Sequence, residues 1–270
     1  MQNKAIGVFD SGLGGLTTVK ELKKILPCED IIYFGDTGRV PYGNRSKETI
    51  KKYATQDVEF LKSLGVKTII AACGTVSSVA EDVKEKIDVV FTGVVKPTSL
   101  AAYNATKNRK IGVIGTAATI NSGSYERELK RLDSSLEVFS KACPLFVPLV
   151  ENGFISEADP IVRMTVERYL ISLKDIGVDT LILGCTHYPI IREVIQDVMG
   201  KDVTLIDAGK ETALFAAKCL DEADLLCNRP EKGHCRFYVS DSVEGFSKIA
   251  DLFLECEIEN EVSRVDIEQF

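Results

Sequence analysis

The sequence has few histidines and no paired cysteines. Only two of its 270 residues are histidine, and none of its eight cysteines forms a Cys-x-x-Cys pair. Structural zinc sites usually show ligands paired at short spacing, so this pattern argues against zinc. The only ligand-like cluster, Cys227 with His234-Cys235, lacks that spacing, and we predict that no metal is bound.

The sequence also lacks a run of basic residues and a long apolar segment. With a net charge of −7 and no Lys/Arg run interleaved with aromatics, we expect no nucleic-acid partner. No segment is apolar for long enough to span a bilayer, and the first residues do not resemble a signal peptide. We therefore predict a cytoplasmic protein without a membrane partner. Disulfides are not expected in such a reducing compartment, and we interpret six cysteines as structural: Cys28, Cys143, Cys219, Cys227, Cys235 and Cys256.

Short apolar runs alternate with helical patterns along the chain, which is typical of parallel α/β sheets. The predicted strands are Ala5 to Phe9, Ile31 to Phe34, Thr68 to Ala72, Ile111 to Ile114 and Thr180 to Gly184. Helical patterns cover Leu16 to Leu26, Ser46 to Leu64 and Thr75 to Lys86. The predicted class is α/β, with two domains that each contain a mainly parallel sheet flanked by helices.

Two cysteines stand directly after buried strands, one in each half of the chain. Cys73 follows Thr68 to Ala72, and Cys185 follows Thr180 to Gly184. Open α/β sheets place ligand-handling groups at the carboxyl ends of their strands. Either thiol alone is more typical of a protein core. Their paired positions, with polar loops beside them, indicate two thiols facing each other across a cleft.

The two halves resemble each other. Gly7-Val8-Phe9-Asp10 and Gly112-Val113-Ile114-Gly115 are offset by 105 residues, and the two cysteine segments by 112. These similar offsets indicate a duplicated α/β unit. Duplication would make the two domains pseudo-symmetric and would place a small-ligand pocket at their interface.

Several motifs together resemble the cofactor-independent aspartate/glutamate racemase superfamily, in particular the glutamate racemases. They are Asp10 to Gly15, Pro41 to Gly43, Gly115 to Thr119, Glu151 to Gly153 and Gly184 to Pro189. The resemblance covers roughly residues 5 to 215. It implies a homodimeric enzyme that interconverts L- and D-glutamate without a cofactor, and that supplies D-glutamate for peptidoglycan. It also implies one domain of residues 1–96 plus 210–270 and another of residues 97–209.

The chemistry of such a reaction matches the two thiols. Inverting an α-carbon requires a base on one face and an acid on the other, so one sulfur must be a thiolate while the other is a thiol. A helix beginning after each cysteine would stabilise the thiolate. By resemblance, Asp10 serves Cys73 and His187 serves Cys185, with Glu151 as a further partner of His187.

Neutral donors are predicted to hold the substrate and stabilise its carbanion, because no arginine lies in these motifs. The residues assigned to this role are Ser11, Pro41, Tyr42, Gly43, Gly74, Thr75, Thr116, Thr119 and Thr186. Gly74 departs from the family, which has asparagine there. We expect Gly74→Asn to restore a donor and lower KM.

Two other functions remain open on the sequence alone. One is a racemase or decarboxylase of the same superfamily that acts on another carboxylate, such as aspartate. The other is a non-catalytic protein that binds dicarboxylates. Retention of both thiols together with Asp10 and His187 argues against the second.

Overall fold

A computed structural model describes residues 2–79, 83, 89–254 and 262–270 of the chain. Its strands are β1 Ile6–Asp10, β2 Ile31–Gly35, β3 Thr68–Ala71, β4 Val90–Gly93, β5 Lys110–Gly115, β6 Glu137–Ala142, β7 Thr180–Leu183, β8 Thr204–Asp207, β9 Cys235–Val239 and β10 Val262–Arg264. They form a six-stranded sheet in the order β10-β9-β2-β1-β3-β4 and a four-stranded sheet in the order β6-β5-β7-β8. Every pairing between these strands is parallel. The predicted α/β class with two parallel sheets is confirmed.

Helices flank both sheets: α1 Leu16–Ile25, α2 Lys47–Ser63, α3 Gly74–Val79, α4 Val95–Ala105, α5 Ala117–Ser122, α6 Ser124–Leu132, α7 Phe146–Glu151, α8 Pro160–Ile176, α9 Arg192–Met199, α10 Ala208–Glu222 and α11 Val243–Leu254. Short 3₁₀ helices cover Tyr42–Asn44, Tyr188–Ile191 and Ile267–Gln269. We call the six-stranded sheet with its helices the first lobe and the four-stranded sheet with its helices the second lobe. In the part of the chain just defined, no helix is both long and apolar enough to cross a membrane.

Local sequence explains where the longer helices begin and end. The Ser46 hydroxyl accepts a hydrogen bond from the Thr49 amide and caps α2. The Asp159 carboxylate caps α8 in the same way, with Pro160 as the first helical residue, and Gly177 ends that helix at a φ of 79°. The predicted helix Thr75 to Lys86 is observed as α3, and its continuation lies outside the described residues.

The two sheets share one topology. The order β2-β1-β3-β4 in the first lobe matches β6-β5-β7-β8 in the second. Phe9 pairs with Ala71 in the first sheet, and Ile114 pairs with Leu183 in the second. The offsets between these pairs are the same two that the sequence motifs show, so the register agrees with a duplicated unit.

Candidate active site

A cavity of about 200 Å³ lies between the lobes, where the carboxyl ends of β1, β3, β5 and β7 approach each other. Its size suits an amino acid. Sixteen of its wall residues come from the predicted motifs and the Cys73 segment: Ser11, Gly12, Pro41, Tyr42, Gly43, Cys73, Gly74, Thr75, Thr116, Ala117, Glu151, Gly184, Cys185, Thr186, His187 and Tyr188. Of the predicted site residues, only Asp10 and Thr119 lie behind the wall.

Cys73 and Cys185 occupy equivalent places in the two lobes. Each follows the end of its strand by two residues, β3 for Cys73 and β7 for Cys185. Both are free thiols, both are buried, and both line the cavity. Their equivalence follows from the shared strand order, which delivers one sulfur from each lobe to a single pocket.

The Cys73 thiol donates a hydrogen bond to the Ser11 hydroxyl, with 3.4 Å between Sγ and Oγ. Burial, together with the neighbouring Asp10 carboxylate, raises the pKa of this thiol to about 12. Cys73 immediately precedes α3, as predicted. Around neutral pH it is therefore the thiol form, suited to donating a proton.

Cys185 has a different environment. Its sulfur lies 3.9 Å from Nδ1 of His187, and His187 Nε2 lies 2.9 Å from the Glu151 carboxylate. Burial disfavours a charged imidazole, but the hydrogen bonds to Cys185 and Glu151 outweigh it and raise the pKa of His187 to about 10. The resulting imidazolium stabilises negative charge on the Cys185 sulfur.

The predicted helix after Cys185 is not found at that position. The residues that follow form a turn and the 3₁₀ helix Tyr188–Ile191, and α9 begins only at Arg192. Pro189 disfavours the α-helical conformation in the residue before it, so a regular α-helix does not start directly after Cys185. The positive charge near this thiol is therefore that of His187 rather than an adjoining α-helix.

Asp10 is the last residue of β1 and joins the lobes. Its carboxylate accepts hydrogen bonds from the Gly12 amide at 2.9 Å and from the Thr186 hydroxyl at 3.4 Å. Burial raises the pKa of this carboxyl, although the charge of His187 opposes the shift. The sulfur of Cys73 bonds Ser11 instead, so Asp10 acts on Cys73 through its charge in this arrangement.

Three threonines link the lobes across the cavity floor. The Thr75 hydroxyl lies 2.9 Å from that of Thr116, which lies 3.0 Å from that of Thr119. Thr116 also caps α5 by accepting from the Thr119 amide. The chain of hydroxyls positions Thr75 and Thr116 at the wall, and Thr119 supports them from behind.

Tyr42 is used differently from the sequence expectation that its hydroxyl faces the substrate. The ring is buried, and the hydroxyl donates to the carboxylates of Asp36 and Asp57, the latter at 3.3 Å. Arg39 binds both of these acids, Asp36 at 2.6 Å and Asp57 at 3.0 Å. The Tyr42 side chain therefore anchors the Pro41 to Gly43 loop. The backbone of this loop lies at the cavity.

Gly74 lies against the opposite lobe. A Cβ atom at this position would sit 2.2 Å from the carbonyl oxygen of Gly184, a distance that no side chain tolerates. The Gly184 amide is itself bonded to Ile114 in β5, so this backbone is not free to yield. The expectation that Gly74→Asn lowers KM is therefore wrong for this arrangement, because asparagine cannot enter without separating the two walls.

Six cavity residues lie outside every predicted motif: Val40, Asn44, Cys143, Pro144, Val147 and Pro148. Cys143 was interpreted as structural, and it is fully buried in the core while also forming part of this wall. The available signal was Pro144, just before α7, and Pro148, in the first turn of α7, because proline is typical of turns and of helix starts.

The cluster Cys227, His234 and Cys235 lies at the opposite, amino-terminal end of the first sheet, where His234 bonds Asp30 and Cys235 begins β9. Over the described ranges, no three His, Cys, Asp or Glu side chains gather as metal ligands do. Cys28 and Cys219 are half-buried, and Cys256 lies outside the described residues.

Comparison with known proteins defines the class. Residues 17–216 match the sequence profile of the Asp/Glu/Hydantoin racemase family. The chain belongs to this family.

Within this family, the chain is similar to glutamate racemases along nearly its whole length. The glutamate racemase of Thermoanaerobacter pseudethanolicus is 45% identical over 270 residues, which is 100% of both chains. That of Chlorobaculum tepidum is 47% identical over 255 residues, covering 94% of this chain and 93% of the relative. The crystal structure of the Francisella tularensis glutamate racemase in complex with D-glutamate superposes with a TM-score of 0.93 at 40% identity and covers 100% of both chains.

Proposed function

We propose that this protein is a glutamate racemase that interconverts L- and D-glutamate by proton transfer at Cα. One observation carries the proposal: equivalent strands of two duplicated lobes bring one thiol each to the same cavity. The similarity to glutamate racemases along the full chain supports glutamate as the substrate.

The two sulfurs divide the chemistry between them. In one direction the Cys185 thiolate, paired with the His187 imidazolium, removes the α-hydrogen. The Cys73 thiol then donates its proton to the other face of Cα. The reverse direction requires the opposite protonation of the two sulfurs, with Asp10 and His187 managing the protons. Because base and acid are both supplied by the chain, we propose that no cofactor takes part.

Stabilisation of the carbanion is assigned to neutral donors. Ser11, Thr75, Thr116 and Thr186 present hydroxyls to the cavity, and no lysine or arginine lines it among the described residues. Hydroxyl and amide donors fixed by the fold stabilise developing negative charge without reorganising. Glu151 holds His187, and Thr119 and Asp10 hold the wall from behind.

The wider setting is inferred from the family resemblance. We propose that the enzyme works in the cytoplasm as a homodimer and supplies D-glutamate for peptidoglycan. We also propose the domain boundaries 1–96 plus 210–270 and 97–209. The sheets support them, because all strands of the first sheet fall in the former range and all strands of the second in the latter.

Circular dichroism of purified protein with L- or D-glutamate, without added pyridoxal phosphate, tests the proposal. Both enantiomers should decay to the same racemic endpoint, and Cys73→Ala and Cys185→Ala should not turn over. Faster inversion of aspartate than of glutamate would assign the other substrate. Loss of all racemisation in the folded wild type would overturn the proposal.

A further inference from the structure

We infer that Phe253, on helix α11, is a positioning residue for His187 and thereby for the sulfur of Cys185. Its ring packs edge-to-face against the imidazole, with 5.4 Å between the ring centroids and 86° between the ring planes. Phe253 is not among the residues that line the substrate cavity, so it acts on the site through His187. The inference rests on the proposed racemase function only for its kinetic consequence.

The sequence of α11 explains why the Phe253 side chain points inward. Phe246, Ala250 and Phe253 follow each other at intervals of four and three residues, which places them on one face of the helix. All three are buried, whereas Glu244 and Lys248 on the opposite face are exposed. Because α11 packs against α1 of the first lobe, its inner face extends from that lobe to the segment that follows β7 of the second lobe.

The first lobe contacts the imidazole at a second place. A Cβ atom on Gly14 would lie 2.6 Å from Nδ1 and 2.8 Å from Cε1 of His187, so the backbone of this loop lies directly against the ring. The outer side-chain torsion of a histidine is broad when nothing restricts it. Contact with Gly14 and Phe253 restricts this rotation, and keeps Nδ1 directed at Cys185 and Nε2 directed at Glu151.

The same packing keeps water away from the charged groups around His187. The imidazole is 6% exposed and the Phe253 ring is fully buried. The titratable groups that face the imidazole are Cys185, Glu151 and Asp10. Burial lowers the pKa of His187, but its hydrogen bonds to Cys185 and Glu151 outweigh this effect and raise the pKa to about 10. Because those bonds depend on the orientation of the ring, a ring that is free to turn should have a lower pKa.

Nuclear magnetic resonance of the full chain, labelled with ¹³C at histidine Cε1, tests the inference without using racemisation. The chain has two histidines, His187 and the exposed His234, so His234→Gln assigns both signals. In the wild type, the His187 signal should titrate near pH 10. Phe253→Leu keeps an apolar side chain but removes the ring, and we expect the pKa of His187 to fall by about one pH unit or more. The His234 signal should titrate alike in both proteins.

Phe246→Leu is the matched control. It removes the same kind of ring from the same face of α11, where Phe246 packs against Tyr33 and Phe237. This variant should leave the pKa of His187 unchanged. Phe253→Met, which is closer to phenylalanine in volume, replaces Phe253→Leu if the leucine variant does not fold. An unchanged His187 pKa in a folded Phe253 variant, or an equal fall in Phe246→Leu, would overturn the inference.

The kinetic consequence distinguishes this inference from the proposed function. In Phe253→Leu, the alkaline limit of kcat/KM for glutamate should move down together with the pKa of His187, while KM stays close to the wild-type value. In Phe246→Leu the alkaline limit should stay in place. A fall in the His187 pKa without any movement of this limit would support the positioning role of Phe253, and would count against a part for His187 in racemisation.

Discussion

At the scale of single residues, the two thiols are equivalent in position and different in environment. Cys73 is hydrogen-bonded to a neutral serine and next to a carboxylate, whereas Cys185 is next to an imidazole that a second carboxylate holds. Burial and the Asp10 charge keep the proton on Cys73, whereas the sulfur of Cys185 lies beside the cationic ring of His187. The family resemblance indicated these partners, but the different surroundings of the two sulfurs follow from burial and distance.

Glu151→Gln should shift the alkaline limit of the reaction. His187 supports the Cys185 thiolate only while protonated, so activity should fall as pH rises through about 10, the pKa of His187. The glutamine keeps the shape but loses the charge that helps raise this pKa. We therefore expect the alkaline limb of the kcat/KM profile to move down by about 1 to 2 pH units. Glu157→Gln, which changes an exposed carboxylate on the same segment, should leave the profile unchanged. An unmoved limb in Glu151→Gln would remove Glu151 from the proton relay.

Gly74→Ala should impair catalysis although it adds one methyl group. The new Cβ would meet the Gly184 carbonyl, and Cys185 is the next residue, so the clash displaces one of the two sulfurs that we propose to react. A misplacement of about 1 Å costs on the order of 100-fold in rate, and we expect a fall of that size in kcat/KM. Gly245→Ala serves as the control, since its Cβ would meet only a serine side chain at 3.3 Å. Wild-type kinetics in Gly74→Ala would show that the walls stand further apart than described.

At the scale of elements, the Pro41 to Gly43 loop at the cavity depends on a buried charge network. Asp36 and Asp57 are both buried, and they share the Tyr42 hydroxyl and the Arg39 guanidinium. Burial and the nearby Asp36 charge raise the pKa of Asp57 well above its usual value. The Arg39 guanidinium also forms an ion pair with Glu268 in the C-terminal 3₁₀ helix, so this helix helps to hold the loop.

This network predicts unequal effects of two similar substitutions. Asp57 is the carboxyl that burial drives towards the neutral form, so Asp57→Asn should lower the free energy of unfolding by less than about 1.5 kcal/mol. Asp36→Asn removes a buried acceptor that both Tyr42 and the half-buried Arg39 use, and should lower it by more, about 3 kcal/mol. Urea denaturation measures both, and KM for glutamate should rise more in Asp36→Asn because Tyr42 loses its anchor. Equal destabilisation would mean that Asp57 carries the charge instead.

The elements that sequence reasoning identified are those with a continuous apolar run. β1, β2, β3, β5 and β7 are buried along nearly their whole length, and their predicted and observed bounds agree within one or two residues. β6 and β10 are edge strands with half-exposed residues, so their sequences resemble loops. The role of the Tyr42 hydroxyl could not be predicted from local sequence either, because its acceptor Asp57 lies in the middle of α2.

At the scale of the whole molecule, the site exists only between the lobes. Besides the Asp10–Thr186 bond, the Thr17 hydroxyl donates to the Thr186 carbonyl at 3.3 Å, and a Cβ on Gly14 would meet the Thr186 hydroxyl at 2.1 Å. The motif offsets predicted the shared topology and a pocket at the domain interface, but the particular contacts between the lobes could not be predicted. It depends on how side chains of both lobes pack in one core, which includes Ile6 of β1 and Leu181 of β7.

Placement of one sulfur on each lobe predicts how deuterium enters glutamate. In deuterium oxide, the thiol that delivers a proton has already exchanged with solvent, while the abstracted hydrogen rests on the sulfur of the other lobe. Early in the reaction the product enantiomer should therefore carry deuterium at Cα, and the remaining substrate should stay protiated. Proton NMR with chiral separation measures both. Cys73→Ala and Cys185→Ala should each abolish inversion, since each direction needs an acid and a base on opposite faces. A single variant can still exchange the α-hydrogen of one enantiomer where the remaining sulfur reaches its thiolate form. If deuterium entered unreacted substrate as fast as product, one group would be serving both faces, and the second thiol would be only a buried cysteine at the lobe interface.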